Sequence, residues 1–322
     1  MVDVIMFSNP KSGKNLRDKL RVRKLRDLIN NNGRLYATQT FDDLEKKVSE
    51  LVTKNPECIV MDGGDGQSTI ILSLLKRYWP ENKPLPPFGL IPGGTYNILS
   101  KECEIKNPKK YLKNILKLGI KDLSFREIDM LKITDNNDLT SYGFSFGVGG
   151  PITLLEEAYK RKKLKYVRVA LMFARLLFSR VFRQKYFELF NQKTPLDIKT
   201  NIEGEGLNFE GNYLGVMAQT IKPAGLKISK TFYKADSRRG YFHAMGTQME
   251  LGTFIDYLWP FLRGREIPGM DLNAQTNNLQ LTSKKPIKYN VNGELDLMGK
   301  PYFAEQMNVE HGLTMKIIQS IN

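Results

Sequence analysis

The sequence predicts an α/β N-terminal domain built on a parallel sheet, followed by an all-β sandwich domain that carries a helical insertion. Three observations predict it. From Val2 to about Gly119, short apolar runs alternate with amphipathic helical stretches, as in a parallel sheet with crossover helices. Beyond Leu123 the apolar residues recur with period two, the mark of antiparallel strands. Between strand and helix in the first part stand three turn-forming segments, and in a parallel sheet such turns fall at the carboxyl ends of the strands, where ligands bind.

In chain order, Val2 to Phe7 reads as a first strand, followed by a charged helix from Asn15 to Asn31 and a strand from Arg34 to Thr40. A helix from Asp42 to Thr53 comes next, then a strand at Cys58 to Met61 and a helix from Ser68 to Tyr78. Phe88 to Ile91 is the fourth strand, with helices out to about Leu118. The period-two runs are Ser141 to Val148, Leu196 to Ile202, Leu207 to Gln219, Gly240 to Met245, Leu279 to Thr282 and Ile287 to Val291. Ile152 to about Tyr186 interrupts them as a helical insertion. These readings divide the chain into domains 1–122 and 123–322, with a last strand that can return to the first domain.

The three turns share one chemistry. Asn9, Pro10, Lys11, Ser12 and Gly13 follow the first strand; Gly63, Gly64, Asp65, Gly66 and Gln67 follow the third; Pro92 to Asn97 follows the fourth. Glycine at a strand end lets backbone approach an anion, and the next helix aims its unpaired N–H groups at the same place. A polyphosphate is the expected ligand. The first turn lacks Walker A spacing. Asp65 would repel a phosphate unless it holds Mg²⁺ or accepts a proton, and the plainer alternative is an aspartate that caps the next helix.

The 322 residues carry a formal charge of +15, which favours an anionic partner such as a nucleotide, a lipid headgroup or nucleic acid. Two cysteines, Cys58 and Cys103, are too few for a disulfide framework or a zinc cluster and suit a reducing compartment. Met1 to Ser8 has no basic leader and reads as a core strand. No apolar run reaches the roughly 18 to 20 residues that a membrane span needs.

Taken in order, Asn-Pro-x-Ser-Gly, Gly-Gly-Asp-Gly and Pro-x-Gly-Thr-x-Asn resemble the diacylglycerol kinase catalytic domain family, which includes sphingosine, ceramide and bacterial lipid kinases. The resemblance continues into the second half, where Phe144 to Pro151 is similar to the glycine-rich strand that opens the family's second domain. Asn292, Gly293 and Glu294 stand where the family usually has Asp-Gly-Glu. It implies an NAD kinase/diacylglycerol kinase-like nucleotide-binding domain, a lipid-binding β-sandwich, and ATP-dependent phosphorylation of a lipid hydroxyl with Mg²⁺. Carried onto this sequence, Asn9, Pro10, Lys11, Ser12, Gly13 and Thr40 would contact nucleotide, and Gly63, Gly64, Gly66 and Gln67 with Thr95 and Asn97 would cradle the triphosphate. Glu294 occupies the place of the proton acceptor in bacterial members, and Asp65 matches the aspartate given that role, or that of organising Mg²⁺, in the sphingosine kinase branch.

Four positions depart from the family pattern. Gln67 replaces a Thr, Ile98 an Asp, and Arg239 an Asp that contributes to a metal site in many bacterial members, so a salt bridge is expected in place of that metal. Asn292 replaces an Asp and cannot accept a proton; in an extended chain Asn292 and Glu294 would share a face. General base catalysis contributes about 10² to 10⁴ in rate, so phosphoryl transfer is expected to survive in weakened form.

Between Tyr159 and Tyr186, ten Lys and Arg residues without an acid alternate with aliphatic and aromatic side chains. Such a stretch suits a helix lying on an anionic membrane surface, and equally a helix packed on the second domain with a solvated basic face. His243, in a strand pattern, and His311, in a turn pattern, read as structural, and Trp79 and Trp259 as packing residues. The expected protein is therefore a cytoplasmic, peripherally membrane-associated lipid kinase that binds no nucleic acid. The alternatives are an impaired nucleotide or lipid sensor and an NAD kinase-like or sugar kinase-like enzyme. Oligomeric state stays open, a homodimer among the options.

Overall fold

A computed structural model describes residues 3–30, 33–94, 97–160, 175–176, 184–222 and 230–319. Thr95 and most of the basic stretch at 159–186 lie outside the described residues. The chain divides into two compact units, one of Met1–Ile128 with Thr314–Asn322 and the other of Asp129–Leu313. The division falls inside a strand a few residues later than the sequence suggests, and the final strand re-enters the first unit.

The first unit holds parallel strands β1 (Val4–Ser8), β2 (Gly33–Ala37), β3 (Cys58–Gly63) and β4 (Phe88–Pro92) in the order β2-β1-β3-β4. β1 and β4 are buried along their whole length and β3 along all but its last residue, as strands covered on both faces must be, whereas β2 lies at the edge and is half-buried. The expected helix over 15–31 is two helices, α1 (Gly13–Arg17) and α2 (Arg21–Ile29). Asp18 makes the break, because its Oδ1 accepts the Leu20 N–H at 3.1 Å and offers the backbone a turn in place of a helical bond. The strand expected to reach Thr40 stops at Ala37, and Thr40 instead caps α3 (Phe41–Ser49). A further turn of helix, α4 (Leu51–Lys54), follows. The helix after β3, α5 (Asp65–Tyr78), begins three residues earlier than expected, since extended Gly64 serves as its N-cap and Asp65 favours the positive end of its dipole. α6 (Ile98–Glu102) and α7 (Pro108–Leu118) complete the unit.

The second unit is antiparallel. One sheet runs β12 (Leu272–Thr276), β11 (Phe242–Thr247), β10 (Gly215–Gln219), β7 (Ser145–Gly149), β13 (Asn278–Val291). A second contains β9 (Glu205–Tyr213), β8 (Thr194–Ile202), the first half of β13 and β16 (Phe303–Ile318), with β5 (Phe125–Asp135) and β6 (Thr140–Gly143) at its other side. The two runs read separately at 279–282 and 287–291 are one strand, β13. An irregularity between Thr282 and Ile287 lets its first half pair with β8 and its end with β7, so one strand serves both sheets. Short β14 (Asp296–Leu297) and β15 (Lys300–Pro301) form a hairpin, and α8 (Gly150–Tyr159) follows β7. Trp259 does not pack as expected, being 54% exposed. His311 lies within β16, not in a turn.

Candidate functional site

The three turns of the first unit are built against one another. Gly93 and Gly94 donate their N–H groups to the Gly63 carbonyl at 2.8 and 2.9 Å, Lys14 N–H donates to the Gly93 carbonyl at 2.8 Å, and Asn9 N–H to the Asp62 carbonyl at 3.0 Å. Contact between the turns is glycine on glycine. A Cβ on Gly94 would stand 2.4 Å from the Gly64 Cα, so no larger residue fits without moving backbone. The glycines thus serve the mutual approach of the loops as well as any approach of a ligand.

Each turn is also fixed from within. Asn9 Oδ1 accepts the Lys11 N–H at 2.9 Å, an Asx turn that shapes Pro10 to Gly13. Asn97 takes a left-handed backbone (φ 51°) at the N-cap of α6, and its side-chain amide exchanges two 2.7 Å bonds with the backbone of Gly94. Asp65 reaches across to the same helix. Its two oxygens accept the N–H groups of Ile98 at 3.0 Å and Leu99 at 3.3 Å, and burial pushes its carboxyl pKa up against the pull of those amides. It therefore caps a helix, though α6 and not the helix it begins. Thr40, exposed beyond the end of β2, accepts the Asp43 N–H at 3.2 Å.

Beneath the turns lies a polar network that sequence reasoning missed. Asp62, fully buried at the end of β3, accepts from Ser8 Oγ at 2.6 Å and Asn15 Nδ2 at 2.9 Å and pairs with Arg21 Nη1 at 2.9 Å. Arg21 also donates to Asn15 Oδ1 and to the Pro92 carbonyl at 3.4 Å, so one guanidinium ties α2 to β3 and β4. A charged residue inside an otherwise apolar strand, just before Gly63, was the available signal.

The electrostatics of these turns fit an anion. Desolvation, then the positive fields of Arg21, Arg17 and Lys101, hold the Lys14 ammonium below its usual pKa. Ser12 and Gln67, only 9% and 7% exposed, have a hydroxyl and a whole side-chain amide without hydrogen-bond partners among the described residues. Buried polar groups normally find partners, so these fit an absent oxygen-rich ligand. The donors are hydroxyl, amide, backbone N–H and cations, the set that binds phosphate. They do not fit a chain-held metal. The carboxylates of Asp62 and Asp65 are already engaged, and among the described residues no three His, Cys, Asp or Glu side chains cluster.

Glu294 and Asn292 belong to the second unit. The extended conformation expected there is replaced by a tight turn, with φ 53° at Asn292 and 78° at Gly293, closed by reciprocal backbone bonds of Val291 and Glu294 at 3.0 and 3.1 Å. Asn-Gly is the residue pair that such a two-residue turn prefers. Asn292 Oδ1 accepts the N–H groups of Phe144 at 2.8 Å and Ser145 at 3.0 Å, a task a carbonyl oxygen performs as well as a carboxylate. Glu294 is exposed at the turn's end. Arg239 sits 3.5 Å from buried Asp129, which also accepts the Gly240 N–H at 2.9 Å, so a guanidinium occupies the position read as a lost metal site.

Residues 3–133 match the model of the diacylglycerol kinase catalytic domain. The match covers all three turns. The eye-specific diacylglycerol kinase of Drosophila melanogaster is 30% identical over 147 residues, 44% of this chain, and the match spans about a tenth (10%) of that longer relative. Two solved structures assigned to diacylglycerol kinases of Bacillus anthracis share the fold over 99% of this chain. One has TM-score 0.68 at 18% identity over 96% of its own length, and the other 0.63 at 16% over 97%. The parallel sheet with helices and the antiparallel second half are thus the architecture of diacylglycerol kinase-like proteins.

Proposed function

We propose that this diacylglycerol kinase-like chain is an ATP-dependent lipid kinase, transferring the γ-phosphate of ATP to the hydroxyl of diacylglycerol or a sphingoid-type lipid at a membrane surface. One observation carries the reading: Ser12 and Gln67, buried and without hydrogen-bond partners among the described residues, share the turns with Lys14 and the cations around it. Phosphoryl transfer depends mainly on positioning and on stabilising charge, and these residues supply both. Lys14, Arg17 and Lys101 offset phosphate charge, the first-turn amides of α5 donate to phosphate oxygens, and Asn97 holds the third turn in shape.

Glu294, an exposed residue at the end of the Asn292–Gly293 turn, is the proton acceptor in this reading. The lipid hydroxyl gives its proton to Glu294 as its oxygen bonds the γ-phosphorus, and ADP leaves. Asp65 acts at one remove, as a positioning residue for the third turn. Mg²⁺ would enter with the nucleotide and offset charge on its phosphates, with no ligand set assigned to this chain's side chains.

Incubation with labelled ATP, Mg²⁺ and a panel of lipids, followed by lipid separation, tests this proposal. A labelled lipid is the expected product. A second reading, a nucleotide or lipid sensor without turnover, is favoured by the engagement of Asp65 with α6 and by Asn292 in place of an acid. ATP binding with no labelled lipid would support it.

A further inference from the structure

The helix Leu258–Leu262 has an unusual composition for its place. Its five residues, Leu-Trp-Pro-Phe-Leu, are all apolar, yet none is buried. Phe261 is the inward anchor. It packs beside Met217 and Met270 on the cluster of Phe232, Ala235 and Met245, and its ring meets that of Phe254 edge-on at 5.1 Å. Trp259 is left outward, 54% exposed, with the Arg263 guanidinium over its ring at 4.6 Å.

Cations outnumber acids around this helix, with exposed Asp256 before it and Lys230, Arg263 and Arg265 beside it. Exposed Lys230, Arg263 and Arg265 have no carboxylate partner among the described residues, and Lys230 is tied to the helix by its N–H bond to the Leu262 carbonyl at 2.9 Å. Glu266, the first acid after the helix, is drawn away by Lys234 at 3.4 Å and by the Tyr233 hydroxyl at 3.2 Å. An outward Trp with a stacked Arg, an aliphatic flank and unpaired cations is the side-chain chemistry of a lipid–water interface, with the indole at headgroup level and the cations on anionic headgroups.

We infer that Leu258–Leu262, with Lys230, Arg263 and Arg265, docks the second unit on an anionic bilayer surface. None of these residues belongs to the basic stretch at 159–186. The inference deepens the lipid-kinase reading and rests on it only for the reason a bilayer should be met. A nucleic acid would use the cations but leave Leu258 and Leu262 without a role.

The chain's two tryptophans make the test direct, since Trp79 is only 6% exposed and Trp259 reports alone on the surface. The full chain, without nucleotide, is titrated with phosphatidylcholine vesicles and with vesicles that also contain phosphatidylglycerol. Emission should shift to shorter wavelength with the anionic vesicles only, and a Trp259→Phe variant should show no shift. Partitioning onto anionic vesicles should fall at least about tenfold in Trp259→Ser, and likewise in Arg263→Glu/Arg265→Glu, with ATP binding unchanged. Wild-type partitioning in both variants, or no shift with anionic vesicles, would overturn the inference. A concentration-dependent dimer abolished by Trp259→Ser would overturn it too, assigning the helix to a second copy of the chain. Because no phosphoryl transfer is measured, neither result bears on the kinase reading.

Discussion

Arg21, partly exposed, and fully buried Asp62 form an ion pair, Nη1 to Oδ1 2.9 Å, directly beneath the three glycine-bearing turns. Forty-one positions separate them, and the pair joins the start of α2 to the end of β3. Removing one member of such a pair leaves an uncompensated charge. Asp62→Ala should therefore destabilise the protein by roughly 3 to 5 kcal/mol in denaturant unfolding. A loss under about 1 kcal/mol would show that the pair does not hold the turns.

Asp65 and α6 yield a prediction that separates positioning from chemistry. Asp65→Asn keeps one acceptor oxygen but turns an amide donor toward an N–H. Bonds to charged acceptors contribute about 1.5 to 3 kcal/mol, so hydrogen exchange at Ile98 and Leu99 should accelerate by roughly tenfold to a hundredfold. KM for ATP should rise with it. Unchanged exchange combined with lost turnover would return Asp65 to the role of a group acting on substrate.

At the turn before Glu294, Asn292→Asp should leave thermal stability nearly unchanged, because a carboxylate accepts the Phe144 and Ser145 N–H groups equally well. Asn292→Ala loses both bonds and places alanine at φ 53°, so a destabilisation of roughly 2 to 4 kcal/mol is expected. Equal stability of the two variants would contradict the role given to Oδ1.

Burial is the main reason that the His243 imidazole is held down to about 4 from an ordinary 6.5; Asn273, whose Oδ1 lies 2.7 Å from Nε2, opposes the shift, and the Lys234 charge adds to it. The unfolded chain takes up a proton at higher pH than the folded one does. Stability contributed by neutral His243 is therefore complete above pH 6.5 and is lost as pH falls towards 4, a decline of roughly 3 kcal/mol. Unfolding free energies of wild type and His243→Gln measured across that window should converge on the acid side. Parallel curves would show that His243 does not titrate there.

Much of this was legible from local signals. The turns after β1, β3 and β4 each end an apolar run with Gly, Pro or Asn, and the structure brings those turns together. What escaped was non-local or overruled by a stronger pattern. Asp62, Asn15 and Arg21 have no spacing that announces their contact, and β16 is expected only as a last strand without bounds, because a strand serving two units does not keep one apolar period. The Asn292–Gly293 turn signal was present in the sequence, but likeness to an Asp-Gly-Glu motif drew attention to acid-base chemistry and away from the backbone. Trp259 was read as packing because tryptophan usually packs; its neighbours Arg263 and Arg265 were the sign of a surface.

Nucleotide affinity tests the central claim, that the three turns bind a polyphosphate. In calorimetric titrations ATP should bind and adenosine should bind far more weakly, with ATP affinity falling as salt rises. Gly94→Ala, whose Cβ would meet the Gly64 backbone, should weaken ATP by about tenfold or more and leave adenosine unchanged. ATP binding no tighter than adenosine, in wild type, would contradict the account.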